Sequence, residues 1–398
     1  MSTGKYGKEL LAIHGGQPVR ETLLPYGRQT IDEDDIEAVV RTLRSDWITT
    51  GPKVSEFEQA FANFVGAKEA VAVSSGTAAL HSAMYAWGIQ PGDEVIVPAM
   101  TFAATANSVI FQGGTPVFAD VNPDTLLLDL NQVEDKISLR TRAVIAVDYA
   151  GQPCEYDALQ EVLGGRIALI ADACHSLGGS YKGRLVGSLA GLNAFSFHPV
   201  KHITTGEGGM ISTDDADLAR RMRAFRNHGI TTDSSQRESW FYEMEDLGYN
   251  YRLTDLQCAL GLEQLGKLPD WVNRRQGIAR KYDAAFSDIT AVKPLKVLDG
   301  VSHVYHLYVI QLDLEQLRTS RTEIFAALRA EGIGVNVHYI PVHLHPFYRR
   351  QFGTRLGMCP VAEEAYERLL SLPIFPSMLY KDTSNVIEAV DKVISAYS

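Results

Sequence analysis

Short runs of apolar residues, separated by stretches with helical spacing, dominate the first half of the chain. Most runs are apolar at nearly every position rather than at alternate ones, which is typical of strands covered on both faces. Strands that alternate with helices predict βαβ units, and therefore a mostly parallel sheet with helices on both sides. The predicted strands are Ala70–Val73, Glu94–Val97, Pro116–Ala119, Ala143–Val147, Ile167–Ala171, Ala194–Phe197 and Gly209–Thr213.

The pattern changes after about residue 255. Leu253–Leu268 has helical spacing, and a second helix is predicted over Trp271–Phe286. We therefore expect a large α/β domain over residues 1–268 and a smaller α+β domain over residues 269–398. In the smaller domain the sequence predicts a strand, a helix and a strand over Tyr305–Leu312, Thr322–Glu331 and Gly334–His338.

Composition and charge narrow the class of protein. The chain has 398 residues, of which 45% are hydrophobic and 21% charged, as in ordinary globular proteins. The net charge of -11 argues against a general nucleic-acid-binding or anionic-membrane surface. No apolar run approaches the ~18 residues of a transmembrane helix, and the first residues lack the apolar segment of a signal peptide. Four dispersed cysteines fit a reducing compartment, so we expect a cytoplasmic protein.

Three polar residues, Ser74, Asp172 and Lys201, follow the ends of predicted strands. Ligands of parallel sheets bind beyond the carboxyl ends of the strands, so these residues are expected on one edge. A lysine and an acid there suit pyridoxal phosphate (PLP), because the lysine forms a Schiff base and the acid pairs with the protonated ring nitrogen. A structural ion pair or helix cap for Asp172 stays open, whereas apolar Phe195 and Phe197 argue against a solvated surface position for Lys201.

Further residues are candidates for cofactor contacts. The turn Ser74–Thr77 joins a strand to a helix, where backbone N–H groups favour a phosphate; an ordinary capped turn is the alternative. Phe102 follows the second strand and is a candidate for stacking on a flat ring, or for a place in the core. His175 is a candidate for the ring or its hydroxyl, and Ser196 for the phosphate.

The histidines near the C-terminus raise the question of a metal site. Pro341 and Pro346 break any helix that would align His338, His343 and His345, and no carboxylate or cysteine completes a set of ligands. We therefore expect no metal, and favour a polar sugar-binding loop.

Several motifs in the same order give the chain its resemblance to a known family. These motifs are Trp47–Pro52, Ser74–Thr77, Asp172–His175, Ser196–Lys201, Glu207–Gly209 and Gly248–Arg252. From about Tyr26 to the C-terminus the chain resembles the DegT/DnrJ/EryC1/StrS family of PLP-dependent sugar-nucleotide aminotransferases. The resemblance implies the type I, aspartate aminotransferase-like fold.

The resemblance implies roles for individual residues. Lys201 would carry PLP and move the proton during transamination. The protein would be a homodimer with active sites at the interface, where Asn250 of one subunit reaches the cofactor phosphate of the other. The other cofactor contacts that it implies are Asp172 at the ring nitrogen, Phe102 on the ring face, His175 near the ring hydroxyl, and Gly76, Thr77 and Ser196 at the phosphate.

Within the family, three segments are most similar to enzymes that aminate C4 of UDP-4-keto-6-deoxy-N-acetylhexosamines for surface glycans. They are Tyr26–Gln29, Ile48–Val54 and His338–His343. The family resemblance implies L-glutamate as the amino donor. Candidates for contacts to the donor carboxylate and the nucleotide-linked sugar are Arg28, Lys53, His338 and His343.

The same fold also serves other functions, and the residues present favour some of them more than others. A C3 aminotransferase acting on a dTDP-3-keto-6-deoxyhexose stays open. A dehydratase is disfavoured, because Lys201 is present and clustered cysteines for an iron–sulfur centre are lacking. A non-catalytic PLP-binding sensor is disfavoured because Lys201, Asp172 and Ser196 form a complete set.

Overall fold

The structure, a computed structural model, describes residues 10–230 and 240–398. Its α-helices are α1 (Glu33–Leu43), α2 (Pro52–Val65), α3 (Gly76–Trp87), α4 (Ala103–Phe111), α5 (Leu130–Lys136), α6 (Tyr156–Leu163), α7 (Ala216–Phe225), α8 (Asp255–Phe286), α9 (Arg321–Ala330), α10 (Pro346–Phe352), α11 (Pro360–Arg368) and α12 (Tyr380–Tyr397). None of the helices in these two ranges is long and apolar enough to cross a membrane.

The strands of the described residues belong to one large sheet and two small ones. They are β1 (Glu69–Val73), β2 (Glu94–Pro98), β3 (Thr115–Ala119), β4 (Thr141–Val147), β5 (Ala168–Asp172), β6 (Ser180–Tyr181), β7 (Arg184–Leu185), β8 (Leu192–Ser196), β9 (Gly209–Thr213), β10 (Val292–Pro294), β11 (Val301–Ser302), β12 (Tyr308–Leu312) and β13 (Leu369–Leu372).

The large sheet has the strand order β1-β9-β8-β5-β4-β2-β3. Strands β3, β2, β4, β5 and β8 run parallel, whereas β9 is antiparallel to both of its neighbours. Every residue of β5 is buried, which explains its nearly continuous apolar sequence. Strand β9 is equally buried, and its polar Ser212 and Thr213 donate hydrogen bonds to backbone carbonyls. The predicted mostly parallel sheet is therefore confirmed, with each of its seven strands within a few residues of its expected position.

A second hydrophobic core lies against the small antiparallel sheet β10-β12-β13. The apolar faces of α9 and α12 and the last turns of α8 contribute to it. The N-terminal arm is attached to this region by Glu331, whose carboxylate accepts hydrogen bonds from the backbone N–H groups of Ala12 and Val19 and pairs with buried Lys392. This attachment brings Tyr26, at the end of the arm, towards the large sheet.

The prediction of two helices before residue 287 is wrong, because α8 is a single continuous helix of 32 residues. Thr254 and Gln257 form a capping box at its start. Pro269 lies inside the helix and removes one backbone hydrogen bond, but Leu268 and Trp271 on either side of it are buried, and their packing offsets the loss. The predicted domain boundary at 268/269 falls inside this helix and stays a prediction.

The segment Gly334–His338 is not a strand, contrary to the prediction. Instead it forms isolated bridges: Ile333 pairs with Leu24 of the N-terminal arm, and Asn336 pairs with Ser371 of β13. Because each partner contacts one position only, no continuous ladder forms. The segment joins the arm to the small sheet and places the His338 ring centroid 5.1 Å from that of Tyr26.

Candidate active site

A cavity of about 580 Å³ lies at the carboxyl ends of the central parallel strands. This is where ligands of such sheets bind. It contains most of the residues that the sequence singled out, together with Tyr26, Cys174, His306 and Tyr339. The predicted residues that line it are Gly76, Thr77, Phe102, Asp172, His175, Ser196, Lys201 and His338.

The start of α3 forms one end of the cavity. Ser75 caps this helix, and its hydroxyl accepts a hydrogen bond from the backbone N–H of Ala78 at 3.0 Å. The N–H groups of Gly76 and Thr77 belong to the first turn and have no acceptor within the helix, which favours an anion there. A Cβ on Gly76 would lie 2.8 Å from that of Ser196, so only glycine lets the backbone approach this closely. These residues fit a phosphate group.

Asp172 ends β5 and is 6% exposed. Its Oδ2 accepts a hydrogen bond from the Thr105 hydroxyl at 2.7 Å, and its Oδ1 accepts one from the backbone N–H of Cys174 at 3.3 Å. Both partners are neutral, so the buried carboxylate is suited to a cationic N–H in the cavity. Sequence reasoning missed Thr105; its position three residues after Phe102 on the same helical face was the available signal.

Phe102 immediately precedes α4 and is 59% exposed although it lines the cavity. Its ring centroid lies 6.0 Å from that of Tyr339. An apolar ring presented to a cavity is suited to stacking on a flat ligand. The structure thus places Phe102 in the cavity wall and not in the core.

Lys201 is half-buried in a turn closed by a 2.8 Å hydrogen bond from its backbone N–H to the carbonyl of His198. Burial lowers the pKa of its amine below the usual range, although the thiol of Cys174 and the carboxylate of Asp172 act in the opposite direction. A lowered pKa increases the neutral fraction of the amine, and only the neutral amine attacks an aldehyde or removes a proton.

His175 is buried beside the cavity. Its Nε2 lies 3.1 Å from the hydroxyl of Tyr339, while its Nδ1 has no hydrogen-bond partner in residues 10–230 or 240–398. Burial holds the pKa of His175 well below its usual value, and the cation of Lys201 adds to this effect. A neutral imidazole with an unpaired buried nitrogen fits the ring hydroxyl of a pyridine cofactor.

His338 also lines the cavity. Its Nδ1 lies 2.8 Å from the hydroxyl of Ser371, and its backbone carbonyl accepts a hydrogen bond from Tyr149. Burial lowers its pKa to about 4, so the ring is neutral at physiological pH. These contacts fix the orientation of a polar, uncharged side chain in the cavity.

Four predicted residues lie outside the cavity of their own chain. Arg28 is exposed, Lys53 pairs with Glu56, and Asn250 is exposed with its backbone bridged to Asn227. His343 is fully buried, with its Nε2 2.7 Å from the Glu363 carboxylate and its ring 6.0 Å from that of Phe118. The structure gives no direct contact between these four side chains and the cavity.

The chain is similar to known proteins over most of its length. Residues 29–391 match the model of the DegT/DnrJ/EryC1/StrS aminotransferase family. The spore coat polysaccharide biosynthesis protein SpsC of Bacillus subtilis is 45% identical over 381 residues, which cover 94% of this chain and 98% of SpsC.

Two solved structures are similar over most of the chain. PseC of Helicobacter pylori, an aminotransferase involved in the biosynthesis of pseudoaminic acid, is 32% identical with a TM-score of 0.89, covering 94% of this chain and all of PseC (100%). The PMP-form of Spr1654 of Streptococcus pneumoniae, a putative sugar aminotransferase, is 33% identical with a TM-score of 0.88, covering 94% of this chain and 99% of Spr1654.

Spr1654 has also been solved in its PLP-form, with a TM-score of 0.87. These findings confirm the predicted type I fold and the predicted cofactor, and the cavity described above has groups suited to the phosphate, the ring nitrogen and the ring hydroxyl of PLP. The chain therefore belongs to the DegT/DnrJ/EryC1/StrS aminotransferase family and is a PLP-dependent enzyme.

Proposed function

We propose that this protein transfers an amino group from L-glutamate to the C4 keto group of a UDP-4-keto-6-deoxy-N-acetylhexosamine, in the biosynthesis of a surface-glycan amino sugar. The observation that carries the proposal is the likeness to PseC over nearly the full length of both chains. The 45% identity to SpsC, a polysaccharide biosynthesis protein, supports a sugar as the amino acceptor.

The outer part of the cavity supports a sugar ligand. Tyr26 and His338 lie 5.1 Å apart between ring centroids, and the ring centroid of Tyr339 lies 5.0 Å from that of His338. These side chains combine apolar faces with hydroxyl and imidazole groups, a combination that binds hydroxyl-rich rings. We propose His338 as a sugar contact. The side chains of Arg28, Lys53 and His343 lie outside the cavity of their own chain, so contacts from them to the donor carboxylate or the nucleotide would require these side chains to move.

The proposed mechanism assigns one task to each side chain. When bound, PLP supplies an aldehyde that condenses with amino groups and a ring that accepts electrons from the adjacent carbon. Lys201 Nζ would carry the proton from the α carbon of the amino donor to C4′, the aldehyde carbon of the cofactor. Asp172 would accept a hydrogen bond from the ring N–H, and Phe102 would cover one ring face and exclude water.

A product assay tests the proposed substrate. Purified protein with PLP and L-glutamate is mixed with UDP-4-keto-6-deoxy-N-acetylglucosamine and analysed by mass spectrometry. We expect a UDP-linked amino sugar, because the keto oxygen is replaced by an amine. The control omits the sugar and follows conversion of PLP to its amine form by absorbance. Conversion in the control without a sugar product would contradict the C4 assignment and direct the assay to the dTDP-3-keto substrate.

We further propose that two copies form the active enzyme, with Asn250 of each copy reaching the cofactor phosphate of the other. The exposed position of Asn250 outside its own cavity supports this arrangement.

Mixed dimers test the shared site. Lys201→Ala and Asn250→Ala chains carrying different affinity tags are co-expressed and purified through both tags. If Asn250 acts on the other subunit, one of the two sites in the mixed dimer has both residues, and glutamate-dependent conversion of PLP returns. Each homodimer serves as the control. Mixed dimers no more active than the Asn250→Ala homodimer would contradict the proposal.

A further inference from the structure

Asp148 is a buried carboxyl group to which no role has been given so far. It directly follows β4, and its side chain is fully buried. Its backbone N–H donates a hydrogen bond to the carbonyl of Asp172 at 3.1 Å, and Val147 is in register with Asp172 across the two parallel strands. Asp148 therefore lies one strand away from the acid expected at the ring nitrogen.

Three neutral donors hold its carboxylate. Oδ1 accepts hydrogen bonds from the backbone N–H of Cys154 at 2.9 Å and from the Tyr156 hydroxyl at 2.8 Å. Oδ2 accepts one from the Ser176 hydroxyl at 2.6 Å. The group thus connects the loop before α6 to the turn that follows β5.

The second of these segments carries cofactor contacts. The turn Asp172–Ser176 contains Asp172 itself and His175, and it is closed by a hydrogen bond from the N–H of Ser176 to the carbonyl of Ala173 at 3.1 Å. Because Ser176 ends the turn, its hydrogen bond to Asp148 fixes the position of both cofactor contacts.

We propose that Asp148 is a positioning residue of the active site: it fixes, through Ser176, the turn that carries Asp172 and His175, and its carboxylate adds a second negative charge behind Asp172. This role of Asp148 affects the binding and the charge of PLP, and it does not depend on the identity of the sugar.

The charge on Asp148 changes near neutral pH. Burial raises its pKa to about 7, against the opposing effect of its hydrogen bonds, and Asp172 raises it further. The titratable groups that act on it are Cys154, Tyr156 and Asp172, none of which is a cation. As pH rises through this range, a negative charge develops that stabilises a cationic cofactor ring held by Asp172.

The variant Asp148→Asn separates charge from shape. The amide oxygen still accepts from Cys154 and Tyr156, and the amide N–H₂ donates to Ser176, whose hydroxyl lies 3.3 Å from the alternative acceptor at the carbonyl of Ala173. We expect the midpoint of the pH titration of the bound cofactor's visible absorbance to fall by about one pH unit, because a nearby negative charge is lost. A midpoint equal to or above that of the wild type would overturn the electrostatic role.

The variant Ser176→Ala tests the positioning role. It keeps the carboxylate but releases the turn, and we expect PLP to bind about tenfold more weakly, as for the loss of one hydrogen bond to a charged group. The matched control is Tyr156→Phe, which removes a donor from the other oxygen of the same carboxylate and should leave the dissociation constant for PLP within about twofold. Unchanged binding in Ser176→Ala, or equal losses in both variants, overturns the proposal, and this pair decides the question if Asp148→Asn does not fold.

Discussion

Replacing Lys201 with arginine abolishes transamination and leaves the fold intact. A guanidinium stays protonated at all accessible pH values, so it neither condenses with the cofactor aldehyde nor removes a proton. Lys201, by contrast, has a pKa lowered by burial, which makes its neutral amine available. We expect the rate to fall on the order of 10⁴-fold or more, measured as glutamate-dependent conversion of PLP to its amine form.

The control for this variant is its fold. The side chain projects into a cavity of about 580 Å³, where the longer arginine has room, so circular dichroism and the thermal midpoint should match the wild type. A well-folded Lys201→Arg protein with near-native turnover would remove Lys201 from the mechanism.

We expect the replacement of Asp172 with asparagine to lower the rate by roughly 10³-fold, because an amide lacks the negative charge that we propose keeps the cofactor ring protonated. The substitution preserves shape, and the Thr105 hydroxyl can still donate to the side-chain oxygen. Single-turnover kinetics with glutamate measure the effect on the chemical step apart from PLP binding.

Thr105→Val is the matched variant for Asp172→Asn. It keeps the carboxylate and removes only the 2.7 Å hydrogen bond that orients it, so the expected loss in rate is about tenfold. Equal losses in the two variants would mean that orientation, and not charge, is what Asp172 supplies, and unchanged kinetics in Asp172→Asn would refute its role at the ring nitrogen.

The large sheet could be predicted because strands that are buried on both faces have a recognisable pattern in the sequence. A fully buried strand such as β5 needs apolar residues at successive positions, and such runs are short and distinct from the helical pattern. Asp172 and Lys201 could then be placed together at one edge of that sheet, because the direction of the chain determines at which edge parallel strands end.

The errors occurred where distant contacts outweigh local signals. The sequence predicted separate helices over Leu253–Leu268 and Trp271–Phe286, yet buried neighbours on both sides of Pro269 keep α8 continuous. Thr105 and Asp148 were missed because their partners lie 67 and 28 residues away in sequence, at Asp172 and Ser176. Hydrogen bonds between residues so far apart leave no periodic pattern in the sequence.

The continuous helix α8 has a mechanical consequence. Leu268 and Trp271 belong to the core under the large sheet, whereas Tyr282 and Phe286 belong to the core under the small one, so a single rod is embedded in both. Domains joined only by a loop swivel about it, whereas relative motion of these two cores requires this helix to bend. The helix bends most easily at the turn before Pro269, where one backbone hydrogen bond is missing. Tyr26 and His338 are connected to the small sheet and Lys201 to the large one, so bending at this turn would change the width of the cavity.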